Sequence, residues 1–488
     1  MRKGRMIALA TGVTALAAGI VAAAAPAGSA ATRPDSTAGA TAPGIITKPG
    51  AVRLGKATQS PPSTAYCKQN YGIDCFSPEQ IRTAYDLAPV YANKVTGKGE
   101  TIVIVDSFGS PTIAHDLGVF DKAYDLPAPP SLKVIAPAGK IPPWNKNNDD
   151  MTGWAGETTL DVEWAHSIAP GASILLVETP VSETEGVTGF PQIVQAENYV
   201  LAHHLGDVIS QSFSATEETF GHSPAQDLAT INKYHLRTAY QRAASEGVTV
   251  LTATGDSGVA DVGLDEETYY TTPVTSWPDS DPLVTGVGGT QVIEGGNHNY
   301  SQVTWNDTYS KATQEAIFGD AGPNPLASGG GLSVLFSRPT WQNAPQVKSV
   351  VGTHRGVPDI SMSGSCSGAV NTYQSFPEAG VPAGWYPVCG TSEATPEFAG
   401  IVALADQVAH HPLGLINKTL YTLSAKKAPG IVDITKGNNG VSFTQGTPPV
   451  TTKLAGFDAL PGYDLATGVG TVNAKYFVYE LAGKNPPK

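Results

Sequence analysis

Between residues 100 and 290, short runs of aliphatic and β-branched residues alternate with longer stretches whose apolar positions recur at helical spacing. The runs "ETIVIVDSF", "ASILLVETP", "DVISQSF", "VTVLTATGD" and "PLVTGVGGT" read as strands, and "FPQIVQAENYVLAHH" and "ATINKYHLRTAYQRAASEG" as helices. Strands of nearly continuous hydrophobicity are buried on both faces. With helices between them, they predict an α/β fold built on a parallel sheet covered on both sides. In open sheets of this kind, sites form at the carboxyl ends of the strands. Three of the runs end there in small polar residues, Asp106, Ser212 and Asp256. The same residue types serve turns and helix caps, so position alone assigns no role.

Outside this block the pattern changes. Arg2, Lys3 and Arg5 precede an Ala/Leu/Ile/Val stretch that closes at Gly28, Ser29 and Ala30, the pattern of a secretory signal peptide over residues 1–31. An exported, extracellular protein is expected, with no membrane anchor, because no later apolar run approaches the roughly 18 residues of a span. Residues 32–79 read as a flexible leader, rich at first in Ala, Pro, Thr, Gly and Ser, and one large domain is expected over 80–488. Late in the chain, "YPVCGTSEATPEFAGIVALA" sets a tight turn before a helical pattern carrying Phe398, Ile401, Val402 and Leu404. Ser392 is there either the cap of a buried helix or a reactive group, with Pro396 fitting a first helical turn.

A net charge of −13 with only 15% charged residues argues against nucleic acid as a partner, because that binding needs basic clusters. Four cysteines in an exported chain predict two disulfides. Of the three connectivities, Cys67 with Cys75 and Cys366 with Cys389 is expected, since each closes a short loop. Metal spacing of the zinc kind is absent. A monomer is expected.

A serine alcohol becomes a nucleophile only beside a base that a third group orients. Histidine is the usual base, but His354 lies only 38 residues before Ser392, and His166 in "EWAHSIAPGA" has no marked context. Carboxylates do better. In "GETTLDVEWAHSIAPGA", Glu157 and Asp161 stand four apart, so on a helix they share one face, about 5–6 Å apart at Cβ. Two like charges there are costly unless one carries a proton. Glu163 lies off that face and reads as a surface residue.

The segment "GTSEATPEFAG" resembles the G-T-S-x-x-x-P-x-x-A-G pattern of the sedolisin family, the serine-carboxyl peptidases. "ETTLDVEWAHSIAPGA" is similar to that family's E-x-x-x-D helix, "TATGDSGVAD" to its G-D-S-G segment, and "SGGGLSVLFSRPTWQ" to its S-G-G-G stretch. "TIVIVDSFGSPTIAHDL", "LVTGVGGT" and "RGVPDIS" also resemble family segments, in family order, from about residue 80 to 480. The resemblance implies a subtilisin-like fold in a single catalytic domain acting on polypeptides. It implies Ser392 as nucleophile, Glu157 as general base and acid, Asp161 as its partner, and Asp256 as a side-chain member of the oxyanion hole. It also implies one Ca²⁺, held by Asp433, the carbonyls of Ile434, Leu460 and Gly462, and Asp464, an oxygen-only set that suits this ion. Leu460 stands where the family usually has Gly. Ser212, Phe213 and Ser214 fall in the implied substrate-binding wall, with Phe213 and Ser214 replacing the family's Trp and Gly. An acid-acting endopeptidase is therefore expected, a tripeptidyl exopeptidase and a catalytically silent binding protein being its rivals.

Overall fold

The five strand runs fold as Thr101–Ser107, Ser173–Thr179, Val208–Gln211, Thr249–Ala253 and Thr285–Glu294. They belong to one eight-stranded sheet in a computed structural model that describes residues 52–319 and 322–487. The order across it is Tyr300–Thr304, Thr285–Glu294, Thr249–Ala253, Val208–Gln211, Thr101–Ser107, Ser173–Thr179 and Leu132–Ile135. Ile360–Ser363 pairs in parallel with Thr285–Glu294, and Tyr300–Thr304 at the edge runs antiparallel. This is the subtilisin-like α/β sheet that the sequence predicts, confined to a single domain.

Successive strand residues face opposite sides, as the two-residue period of a strand requires. Ile102, Ile104, Ile174 and Leu176 join one apolar cluster with residues of the helices Asp149–Ile168 and Thr391–Ala409. Val103, Val105, Leu175 and Val177 join another, with residues of Phe190–Ala202 and Thr238–Glu246. Each fully buried side chain of this size contributes about 1.5–3 kcal/mol, so the two clusters hold the sheet between its helical layers.

Helix Asp149–Ile168 begins at Asn148, whose side chain accepts from the Met151 amide, and carries Asp149 and Asp150 where the helix dipole favours negative charge. From Trp154 to its end every side chain is buried. It packs on Thr391–Ala409 through Gly400, where a Cβ would meet Ile168 Cβ at 2.6 Å. Only glycine admits that approach.

A second sheet orders Val52–Arg53, Gly384–Cys389, Gly368–Gln374 and Asp74–Phe76. Where the sequence reading expects a leader up to residue 79, the described part is built into the fold. Val52 pairs with Cys389, Ser63 caps the helix Thr64–Tyr71, and Asp74–Phe76 runs parallel to Gly368–Gln374. Composition missed this because the strands' pairing partners lie about 300 residues away in sequence, as with Cys389 and Val52, which are 337 apart. The disulfides are the local pair expected, Cys67–Cys75 and Cys366–Cys389. The signal-peptide reading and the leader up to residue 51 fall outside the described residues. Among those described, no helix is long and apolar enough to cross a membrane.

Candidate active site

Thr101–Ser107, Val208–Gln211 and Thr249–Ala253 are neighbours in the sheet, so the polar residues at their carboxyl ends come together. Asp106 closes the first strand, Ser212 follows the second, and Asp256 follows the third after Gly255, whose φ of 94° favours glycine. Ser392 stands in the first turn of helix Thr391–Ala409, 3% exposed. Ser212, Phe213, Ser214, Asp256, Asp261 and Ser392 line one pocket. The proposed nucleophile, the proposed oxyanion residue and the proposed substrate wall thus share one cavity.

Asp256 Oδ1 accepts from the Thr391 amide at 2.7 Å and from the Thr391 hydroxyl at 2.8 Å. It thereby satisfies one of the orphan donors at the helix N-terminus. Its Oδ2 is buried and has no protein partner among the described residues. Burial pushes the Asp256 carboxyl up to about 7, against the pull of the two Thr391 bonds. Below that pH the group is a neutral acid with a proton to donate.

On helix Asp149–Ile168, Glu157 and Asp161 are both fully buried, one turn apart. Asp161 Oδ1 accepts from Ser212 Oγ at 2.8 Å. Burial holds the Asp161 carboxyl well above its ordinary range, reinforced by the neighbouring acids Asp106 and then Glu157. Asp106 is itself pushed up to about 7, chiefly by burial. Both the burial and the neighbouring acids thus favour the neutral form of Asp161, the direction anticipated from the spacing of the like-charge pair.

Ser212 links the two helices. Its hydroxyl lies 3.5 Å from the carbonyl oxygen of Ser392 as well as on Asp161. The Ser392 carbonyl lacks the usual donor four residues on, because that residue is Pro396. Pro396 sits inside the helix, past the first turn where the sequence reading put it. Ser392 is also not the helix cap; that position is Gly390.

Neither flagged histidine enters the site. His166 Nε2 lies 2.8 Å from the Pro127 carbonyl and 3.2 Å from Asp121, and His354 Nδ1 lies 2.9 Å from the Ser333 carbonyl. Glu163, read as a surface residue, is fully buried. Its Oε2 accepts from the Tyr373 amide, and burial holds its carboxyl well above the ordinary range. Face counting failed because it presumes one wet side, and this helix has none. Sequence reasoning also passed over Thr391, which orients Asp256, and Asp261, which lines the pocket. Their place beside Ser392 and in the "GDSGVAD" loop was the available signal.

The residues implied to hold calcium meet at one loop. Asp433 Oδ2 accepts from the Gly462 amide at 2.9 Å, and Asp464 Oδ2 from the Leu460 amide at 3.0 Å. Asp464 Oδ1 takes the amides of Ala466 and Thr467, fixing the carboxylate at the turn. No group of three or more His, Cys, Asp or Glu with metal-site geometry occurs among the described residues. Two carboxylates on one loop are hard-oxygen donors, the type that suits Ca²⁺ and not a transition metal, and in this structure both accept from backbone amides.

The description "Subtilase family" matches residues 145–447. Kumamolisin of Bacillus sp. (strain MN-32) is 28% identical over 407 residues, covering 83% of this chain and 63% of its own. Tripeptidyl-peptidase 1 of Canis lupus familiaris is 26% identical over 340 residues, covering 66% of this chain and 51% of its own. In fold, the chain is similar to Pseudomonas sedolisin (serine-carboxyl proteinase) complexed with two molecules of pseudo-iodotyrostatin. The TM-score is 0.64 at 24% identity, covering 84% of this chain and 98% of that one. The chain spans 46% to 63% of the length of the first of its curated relatives.

Proposed function

From a chain that belongs to the subtilase family, in its sedolisin branch, we propose a secreted, acid-acting serine-carboxyl endopeptidase that cuts polypeptides through an acyl-enzyme on Ser392. The observation that carries the reading is the shared pocket of Ser392 and Asp256, tied through Ser212 to the buried Asp161. As Ser392 Oγ attacks the peptide carbonyl carbon, Glu157 takes the hydroxyl proton. The oxygen that gains the electron pair receives hydrogen bonds from protonated Asp256 and from the orphan amide of Ser392 at the helix N-terminus. Collapse breaks the C–N bond, and Glu157 gives its proton to the departing amine. Water then attacks the ester, Glu157 again accepting the proton, and as the C–Oγ bond breaks Glu157 returns that proton to Ser392 Oγ and the acid product leaves. Protonated Asp161 orients Glu157 throughout.

Support for work in acid comes from the interior. Burial raises Asp256 and Asp106 to about 7, Glu197 and Glu217 to about 8, and Asp406 to about 9. Each is an acid whose folded pKa exceeds its unfolded one, so it weakens the fold as pH rises above its ordinary range. Calcium held by Asp433, Asp464 and the carbonyls of Ile434, Leu460 and Gly462 would supply charge neutralisation and loop closure.

The similarity to a tripeptidyl peptidase favours one second reading, removal of tripeptides from free N-termini. Incubation of the purified protein and of Ser392→Ala with an unfolded protein at pH 4, followed by mass spectrometry, tests both. Internal cuts by the unaltered protein only are expected. A ladder of tripeptides establishes the second reading, and no products, or equal products from both proteins, overturn the mechanism.

A further inference from the structure

The pocket beside Ser392 holds one charged side chain that the chemistry above leaves unused, Asp261. It stands five positions past Asp256 and lines a second, smaller pocket as well, bounded by Thr254, Ser257, Thr275 and Ser276. Two bonds fix its carboxylate. Ser276 Oγ donates to Oδ2 at 2.8 Å, and the Val262 amide donates to Oδ1 at 2.9 Å. An ionised carboxylate offers about four acceptor sites, so each oxygen keeps one free. Among the described residues, no Lys or Arg pairs with it.

Part of the pocket wall beside this carboxylate is apolar. Phe213 is buried at the wall, packed edge-on against Trp154 and Phe190, and the small residues Ala253 and Gly255 leave room beside it. A guest at Ser392 thus shares its pocket with an aromatic wall and with an anion that Ser276 holds in place. Arg and Lys have the matching order, a methylene stem with a cationic head, and the two free acceptor sites suit a planar guanidinium. An acidic guest meets repulsion there, and an apolar one leaves the carboxylate without a partner.

Resting on the peptidase reading of Ser392, we propose that Asp261 selects substrates with Arg or Lys as the residue whose carbonyl is attacked. The test compares kcat/KM at pH 5 for peptides differing only at that residue, with Arg, Lys, Leu or Glu, for the unaltered protein and for Asp261→Asn. Charge-assisted hydrogen bonds of this kind are worth about ten- to a hundredfold, so Arg and Lys should exceed Leu by that factor and Glu should come last. In Asp261→Asn the Arg-to-Leu ratio should fall by about tenfold or more; the ratio, not the absolute rate, is read. If that variant does not fold by circular dichroism, the profile of the unaltered protein decides. Cleavage without a preference for Arg or Lys overturns this inference alone, as does an unchanged ratio in a folded variant. Failure to cut any of the four peptides, or an unfolded protein with them, removes the peptidase reading and this inference together.

Discussion

Replacing Asp256 separates its two roles. As a structural group, it holds the start of helix Thr391–Ala409 through Oδ1; in the proposed chemistry, it offers a proton from the buried Oδ2. Its carboxyl rises from an ordinary 3.8 to about 7, so near pH 8 only about a tenth of the molecules keep the proton. The unfolded chain releases this proton near 3.8 while the fold retains it to about 7. Each pH unit between favours the unfolded state by roughly 1.4 kcal/mol, on the order of 4 kcal/mol in all. That contribution to stability is full below the lower value and gone above the upper one. Asp256→Asn keeps an oxygen for Thr391 and places a non-titrating donor at Oδ2. It should lose less activity than Asp256→Ala, which forfeits about a hundred- to a thousandfold in kcat. It should also flatten the alkaline limb of kcat between pH 6 and 8 and shrink the drop in Tm between about pH 4 and 7. The assay is kcat against pH on one peptide for the three proteins, with melting curves alongside. Equal loss in both variants with the same pH profile would refute the donor role and leave Asp256 only holding the helix start.

Two further outcomes are expected. Glu197, fully buried and accepting from Gln211, is raised to about 8 by burial, so Glu197→Gln should leave Tm at pH 4 unchanged and raise it by several degrees at pH 8. A decline in Tm with pH identical to that of the unaltered protein would show that another group drives it. A chelator at pH 5 should lower Tm relative to millimolar calcium, by about 2.7 kcal/mol of stability if calcium stands at a hundredfold its Kd. Identical melting in both would remove calcium from the loop.

What could be read from the sequence followed the range of the interactions that determine it. The strands of the large sheet were legible because each is a local run of β-branched residues, and the clustering of Ser212, Asp256 and Asp106 followed from the rule about strand ends. The local disulfides were legible for the same reason. The small sheet was not, because Val52 and Asp74 find partners only in strands near residues 389 and 368. Glu163 was misplaced since periodicity reports a wet face only where one exists. Pro396 was misplaced by the difference between a helix start at Thr391 and one further on. Asp261 was marked only by its place in the "GDSGVAD" loop; its meaning lies in the pocket.

The pairing of Val52 with Cys389 also sets an order in time. The edge of the strand that leads into Ser392 stays open until a loop of 337 residues has closed. Closing such a loop costs about 5 kcal/mol beyond the constant term, so this contact forms late, after the local strands and helices have gathered. The chain must be made nearly to its nucleophile before its first described strand has a place to dock. A chain still being synthesised therefore contains Ser392 soon after the last residue that this edge pairing needs.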